Sequence, residues 1–358
     1  MIRDNAVNIA IGGQFGSEGK GKVYGHLYDR YPIISSCVCD FTPNSGHTCY
    51  VDWRSNKTNL IEPRKVVSKI LPMGAFYKHV KHVIIGPHAV FSKDRLWEEI
   101  QVAREIRHDP DFKPHIHPMA TILQPEDTEA ESRFNHIAST MQGTCEASIR
   151  KMRRDPDDVS LVKNDRDIES IANVCDTHKL LFDLMRSKSG ACLIETAQGF
   201  DLGLNNGLQW PFVTSRDCLL GRALDNAGVS PRFISNIIGV CRTFPIRVGN
   251  TPGGFSGPVY HDQSELTWPE VSGIAGKAVR EFTTVTKRER RVFSFSRLQM
   301  QRFLECVRPH FLCVNFLDYL PENQREKWIH ELQKIIQPFD CELKYVGTGP
   351  GIFDYEVR

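Results

Sequence analysis

The chain has 358 residues, with 41% hydrophobic residues, 25% charged residues and a formal net charge of +2 at pH 7. That length can bury a large core as one α/β domain or two smaller ones, while the near-neutral charge gives no electrostatic footprint for nucleic acid. No apolar run reaches membrane-spanning length and the N-terminus lacks the apolar stretch of a secretory signal, so the composition predicts a cytoplasmic protein with no membrane partner.

Val7 to Ile11 is an apolar run that reads as a buried parallel strand, and it leads directly into Gly12-Gly13-Gln14-Phe15-Gly16-Ser17-Glu18-Gly19-Lys20-Gly21-Lys22. Glycine weakens both helix and strand, so five glycines in eleven residues suit a backbone that turns tightly against a ligand. The two lysines among them point to an anion. From Gly16 the spacing is G-x-x-x-x-G-K, a phosphate-cradling P-loop in all but its last position. There Val23 stands where a Ser or Thr would hold magnesium, so a magnesium ligand must come from elsewhere. A helix from about Lys20 to Tyr28 completes the strand–loop–helix context. The plain alternative is a glycine-rich turn with two solvated lysines.

Cys37 to Phe41 predicts a second strand, ending in the loop Thr42-Pro43-Asn44-Ser45-Gly46-His47-Thr48. A rigid scaffold commonly presents catalytic groups on such a loop, although a lone loop histidine is more often only solvated. The eleven cysteines include no C-x-x-C pair and their odd count argues against a full disulfide framework, so buried thiols are expected. Cys37, Cys39 and Cys49 lie near His47, but spacing within an apolar strand favours packing over metal binding. Val83 to Gly86 predicts a third strand, and Asp94 to Arg107 a helix with Leu96, Ile100, Ala103 and Ile106 on its apolar face.

The proline-rich segment 109–125 reads as irregular. Its His115 and His117 have no carboxylate or cysteine at convincing ligand spacing. The polar run Ser139-Thr140-Met141-Gln142-Gly143-Thr144 leads into a basic helix end, where hydroxyls beside arginines suit an anion. Asp165 to Arg186 is helical by pattern. Ala191 to Thr196 is a strand with Gln198-Gly199 at its carboxyl edge, the ligand-binding edge of open α/β sheets. Trp210 to Ser215 is a loop, Ile237 to Val248 a strand broken by Pro245, and Thr283 to Arg291 a loop whose guanidinium forks suit carboxylate or phosphate. Phe311 to Phe316 predicts a strand ending in Leu317-Asp318, followed by a helix from Asn323 to Ile336. With no repeat or low-complexity linker, the prediction is a single α/β domain over residues 1–358, a central mostly parallel sheet flanked by helices.

Taken together, the chain resembles the adenylosuccinate synthetase family. The motifs that carry the resemblance are the Gly13 to Lys22 loop, Asn44-Ser45-Gly46-His47-Thr48, Gln198-Gly199, Phe212-Val213-Thr214-Ser215, Arg288-Glu289-Arg290-Arg291 and Leu317-Asp318. The resemblance implies transfer of a γ-phosphoryl group to O6 of a purine monophosphate, displacement of that phosphate by the amino group of L-aspartate, and Mg2+ as cofactor. It implies catalytic roles at Ser17 and His47, with Mg2+ near Ser17 and Gly46. Carried over by motif, the purine monophosphate meets Ser17, Asn44, Ser139, Thr140, Arg154, Gln198, Thr214 and Arg288. The triphosphate meets Gly16, Glu18, Gly19, Lys20, Gly21, Lys22, Thr48, Arg290, Asn315, Leu317, Asp318 and Gly349. Aspartate meets Thr284, Val285, Thr286, Lys287, Arg288 and Arg290. A homodimer is implied, with Arg154 reaching the neighbouring subunit's site.

Two departures narrow this. Ser17 stands where the family has an aspartate that takes the N1 proton, and a serine hydroxyl is too weak a base for that near pH 7. The change resembles the viral branch of the family, which acts on dGMP in phages whose DNA contains 2,6-diaminopurine; a viral protein would work in the host cytoplasm. Guanine carries an amino group beside N1, and serine leaves room for it. Asn315-Phe316-Leu317-Asp318 replaces the family's guanine-reading Thr-Lys-Leu-Asp, so ATP or dATP becomes the expected donor. The competing readings are an ordinary IMP- and GTP-dependent synthetase, and a nucleotide-binding protein that does not ligate.

Overall fold

The Val7–Gly12 strand is buried along its whole length. In the computed structural model, which describes residues 1–54, 61–133, 136–283 and 287–358, it pairs in parallel with Ala191–Glu195 on one side and Ile234–Arg242 on the other. Both partners come from much later in the chain. The ten-stranded sheet runs Tyr355–Val357, Glu342–Gly347, Phe311–Asn315, Ile234–Arg242, Val7–Gly12, Ala191–Glu195, Ile34–Cys39, His82–Ile85, His115–Ile116, Asn173–Val174. Its pairings are parallel except the one between Glu342–Gly347 and the last strand. Central parallel strands are covered on both faces, which is why they read in the sequence as short continuous apolar runs.

Alternate side chains divide between two layers of helices. Ala10, Cys37, Cys39, Leu193 and Val240 pack with Val23, Tyr24 and Leu27 of the helix Lys20–Arg30. Facing the other way, Val7, Ile9, Val38 and Ile194 meet the helices Thr177–Arg186 and Leu220–Ala227. On that side Ile11, Leu312 and Val314 meet Arg297–Val307 and Glu322–Ile336. Cys37, Cys39 and Cys49 are buried in this core, with burial pushing each thiol pKa up, so they pack as small apolar groups.

The strand expected from Cys37 begins earlier, at Ile34, and ends at Cys39. The stretch 165–186 is not one helix. It divides into Arg166–Ile171 and Thr177–Arg186, separated by the edge strand Asn173–Val174. Asp165 and Asp176 each cap the helix that follows, and such side-chain acceptors start helices rather than continue them. The hairpin of His47–Arg54 with Ile61–Ser68 had no expected counterpart. It lies close against the first helix: a Cβ on Gly21 would stand 2.5 Å from Thr48 O, and one on Gly25 would stand 2.1 Å from Cys49 Sγ. Gly21 is therefore required by the approach of the Thr48 backbone, and Gly25 by the packed side chain of Cys49.

Candidate active site

The loop after Val7–Gly12 and the residues that end its neighbouring strands meet at the carboxyl edge of the sheet. Gly16, Ser17 and Gly19 adopt left-handed φ angles of 83°, 57° and 83°, and together they fold the Glu18 side chain back into the loop. There Oε1 accepts from the amides of Gln14 at 3.1 Å and Gly16 at 2.8 Å, while Oε2 accepts from Lys20 Nζ at 2.8 Å. Lys20 also donates to the carbonyl of Gln198. Two amides and one ammonium are thus turned towards an internal anion, not outward. The helix Lys20–Arg30 begins without a side-chain cap or an acid in its first turn, which leaves its N-terminus suited to phosphate. Asn315 holds the loop from behind, donating to Glu18 O at 2.7 Å and Gly19 O at 3.3 Å and accepting from Tyr355 OH at 2.7 Å. Lys22 bonds the carbonyls of Gly349 at 2.6 Å and Asp354 at 3.0 Å, and burial pulls its pKa down to about 8.

His47 opens the hairpin and is buried. Its ring stacks on Phe41, with centroids 4.4 Å apart and planes at 19°, and its Nε2 is a buried nitrogen with no hydrogen-bond partner. Burial, then the charges of Lys20 and Arg216, hold its pKa well below the ordinary histidine value, so the ring is neutral at physiological pH. Thr48 backs onto Gly21, whereas Gly46 is exposed at the loop tip. Gln198, at a left-handed φ of 61°, donates to Thr214 Oγ1 at 2.8 Å and accepts from Arg216 Nε at 3.2 Å. Arg216 continues to Asp40 Oδ2 at 3.2 Å.

A cavity of about 380 Å³ opens beside this network. Its lining brings together Asn44, Ser139, Thr140, Gln198 and Thr214, drawn from three separate stretches of the sequence, with Phe15. Arg288 is attached to its wall through Nη2, which donates to Ser139 O at 2.9 Å. Arg154 lies apart: it is exposed at the left-handed C-terminus of the helix Thr144–Arg153.

Further arginines gather around Ser17 and in a neighbouring groove. Arg242, fully buried, donates to Ser17 O at 2.8 Å and pairs with Glu281, and its guanidinium lies 3.9 Å over the ring of Phe316. Arg290 donates from Nη1 to Ser17 Oγ at 2.7 Å. Arg288 and Arg290 share a groove of about 990 Å³, and Lys287 is exposed beside them. Thr284, Val285 and Thr286 lie outside the described residues. Leu317 is buried, and the carboxylate of Asp318 pairs with Lys277 at 2.6 Å. The sequence reading missed Gln14, Asp40, Arg216, Arg242, Lys277 and Glu281. Arg242 carried a usable signal, being the charged residue that ends an apolar strand at the ligand edge; Glu281 and Lys277 carried none, because only folding brings them to their partners.

An open parallel sheet with a glycine loop, an uncapped helix N-terminus and converging arginines at its carboxyl edge defines a nucleotide-binding enzyme built for phosphoryl chemistry. The adenylosuccinate synthetase family model matches residues 9–171 and 160–329, and the chain belongs to the adenylosuccinate synthetase family. It is 37% identical over 362 residues to the N6-succino-2-amino-2'-deoxyadenylate synthase of Vibrio phage phiVC8, covering 98% of both chains. Among solved structures, the succinoaminodeoxyadenylate synthetase (PurZ) of cyanophage S-2L, bound to dGMP and to dATP as energy donor, superposes with a TM-score of 0.84. Its identity is 27%, over 99% of this chain and 96% of that one. Fully ligated adenylosuccinate synthetase from Plasmodium falciparum, 18% identical, shares the fold with a TM-score of 0.79, over 99% of this chain and all of that one.

Proposed function

We propose that this protein is a ligase that joins L-aspartate to C6 of dGMP at the expense of ATP or dATP, giving N6-succino-2-amino-2'-deoxyadenylate. The observation that carries this reading is Ser17, an uncharged residue in the loop whose Phe15 lines the cavity, where the family's aspartate would crowd a 2-amino group. In the reaction, O6 of the base attacks the γ-phosphorus of the donor, the bond from that phosphorus to the β,γ-bridging oxygen breaks to release ADP or dADP, and the N1 proton passes to water. The amino group of aspartate then adds at C6, and the C6–O bond breaks to release phosphate. His47 is suited to donate a hydrogen bond from its unpartnered Nε2 to O6 as that oxygen is phosphorylated. Ser17 Oγ accepts one bond from Arg290, leaving one lone pair for either a base N–H (N1–H or N2–H) or a cation. Arg288, which bonds Ser139 O, would fork onto an aspartate carboxylate.

The exposed hydroxyl of Ser17 and the exposed backbone of Gly46 are oxygen donors, the chemistry a hard cation selects. They would hold Mg2+ beside the donor phosphates, where the ion neutralises charge during phosphoryl transfer. Phe316, whose ring lies 3.9 Å under the Arg242 guanidinium, stands where the family's guanine-reading segment has a lysine, which supports an adenine donor. We infer that the working form is a homodimer, because Arg154 is exposed away from its own cavity. Incubating the protein with Mg2+, L-aspartate and each pair from ATP, dATP or GTP with dGMP or IMP tests the reading. Succino-product from dGMP with an adenine donor is expected; product from IMP alone, or none, overturns it.

A further inference from the structure

At the far end of the sheet the same carboxyl edge holds a second group of ligating side chains. Ile116 pairs with Val174 in adjacent parallel strands, so His117 and Cys175 leave the sheet side by side. Asp176 follows and caps the helix Thr177–Arg186, its Oδ1 accepting from the amides of His178 and Lys179 at 3.0 Å each. His178 lies in the first turn. One ligand atom from each of His117, Asp176 and His178 lies within 4.8 Å of the other two.

The hydrogen bonds decide which atoms are open. His178 Nε2 faces the carbonyl of Asn226 at 3.2 Å, and since a carbonyl only accepts, Nε2 carries the proton and Nδ1 keeps its lone pair. An outer bond of this kind orients a metal-ligating histidine and fixes its tautomer. His117 Nδ1 accepts from the amide of Met119 at 3.1 Å, so Nε2 is its free atom. A metal on that nitrogen shifts the ring proton to Nδ1 and gives up the Met119 bond. Lys151 works against a dication, because its ammonium donates to the carbonyls of Pro87 and Met119 nearby.

We propose that His117, Asp176 and His178 form a divalent-cation site selective for Zn2+ over Mg2+, which ties the edge of the sheet to the helix Thr177–Arg186. Two imidazoles and one carboxylate suit a borderline cation, whereas Mg2+ takes oxygen ligands. Zinc bonds of about 2.0–2.2 Å place tetrahedral ligand atoms roughly 3.5 Å apart, so the three groups must draw inward by about an ångström.

Full-length protein stripped with chelator would be titrated with Zn2+ against a chromophoric competitor, with excess Mg2+ present to fill oxygen-rich sites. One tightly bound equivalent is expected, weakened about ten- to a hundredfold in His117→Ala. Loss of the His178 ring risks the fold, because it packs where a Cβ on Gly228 would lie 2.0 Å away. Asp176→Asn is therefore the second variant: asparagine still caps a helix but removes the charge, and about tenfold weaker binding is expected. No tight equivalent in the unaltered protein, or one that both variants bind equally well, overturns the proposal.

Discussion

The guanidinium of Arg290 and the hydroxyl of Ser17, 273 positions apart in sequence, are joined by a bond of 2.7 Å from Nη1 to Oγ. Burial draws the Arg290 pKa down to about 10, which still leaves the side chain charged at neutral pH. A cation therefore faces the position where the family carries its aspartate. Replacing serine by a carboxylate would form an ion pair there and bring negative charge against the guanine amino group.

That contact makes Ser17→Asp the sharpest test of substrate choice. The variant should lose kcat/KM for dGMP relative to IMP by about tenfold or more, the usual worth of a steric or hydrogen-bonding distinction of roughly 1–3 kcal/mol. General misfolding cancels in the ratio of the two substrates. An unchanged ratio would place the selectivity elsewhere in the cavity.

His47→Ala removes a buried ring nitrogen that has no hydrogen-bond partner and that is proposed to meet O6. Single-turnover phosphoryl transfer should slow by about two to four orders of magnitude, the usual range for an acid–base group. Substrate binding should change far less. A variant that phosphorylates dGMP at nearly the parental rate removes His47 from the chemistry.

Arg288→Lys keeps the charge but loses the planar fork, so KM for L-aspartate should rise about tenfold or more while KM for dGMP moves less. An unchanged aspartate KM would assign its carboxylates to other residues. The existing bond to Ser139 O supplies the positioning that a lysine cannot reproduce.

Glu195 is a buried carboxyl that accepts from Tyr28 OH at 2.6 Å, Met73 N at 2.8 Å and Gly74 N at 3.0 Å. Burial raises its pKa from 4.5 to about 7 despite those donors. The folded state therefore keeps a proton that the unfolded chain has lost. Its contribution is fully present below pH 4.5 and declines as pH rises to about 7, by an amount on the order of 3 kcal/mol. Urea unfolding of the parent and Glu195→Gln across this window should show the parent losing stability relative to the variant as pH rises. Parallel curves would show that the three donors offset burial completely.

Arg154→Ala should be inactive alone if the residue serves the partner's cavity. Mixed with a Lys20→Ala variant, it should recover partial activity, because one of the two sites in a heterodimer is then intact. Verified heterodimers with no recovery would return Arg154 to a surface role.

The sequence by itself determined the sheet strands nearest the nucleotide edge and the chemistry class. Val7 to Ile11, Ala191 to Glu195 and Phe311 to Asn315 are short apolar runs because parallel strands are covered on both faces, and the glycine loop is legible because glycine takes the left-handed φ angles at Gly16 and Gly19 at little cost. The family motifs then supplied residue roles that periodicity could not.

Tertiary structure decided how those residues are used. Glu18 reads as part of a phosphate cradle, yet it folds inward as an acceptor for Gln14, Gly16 and Lys20. His115 and His117 read as equivalent in the sequence. Only His117 joins Asp176 and His178, because the parallel pairing of Ile116 with Val174 brings together segments about sixty positions apart. Arg290 likewise meets Ser17 only in the folded chain. Local sequence dictates backbone shape within a few residues, whereas charge pairing depends on which segments the sheet order makes neighbours, and that order emerges only when the whole core is packed.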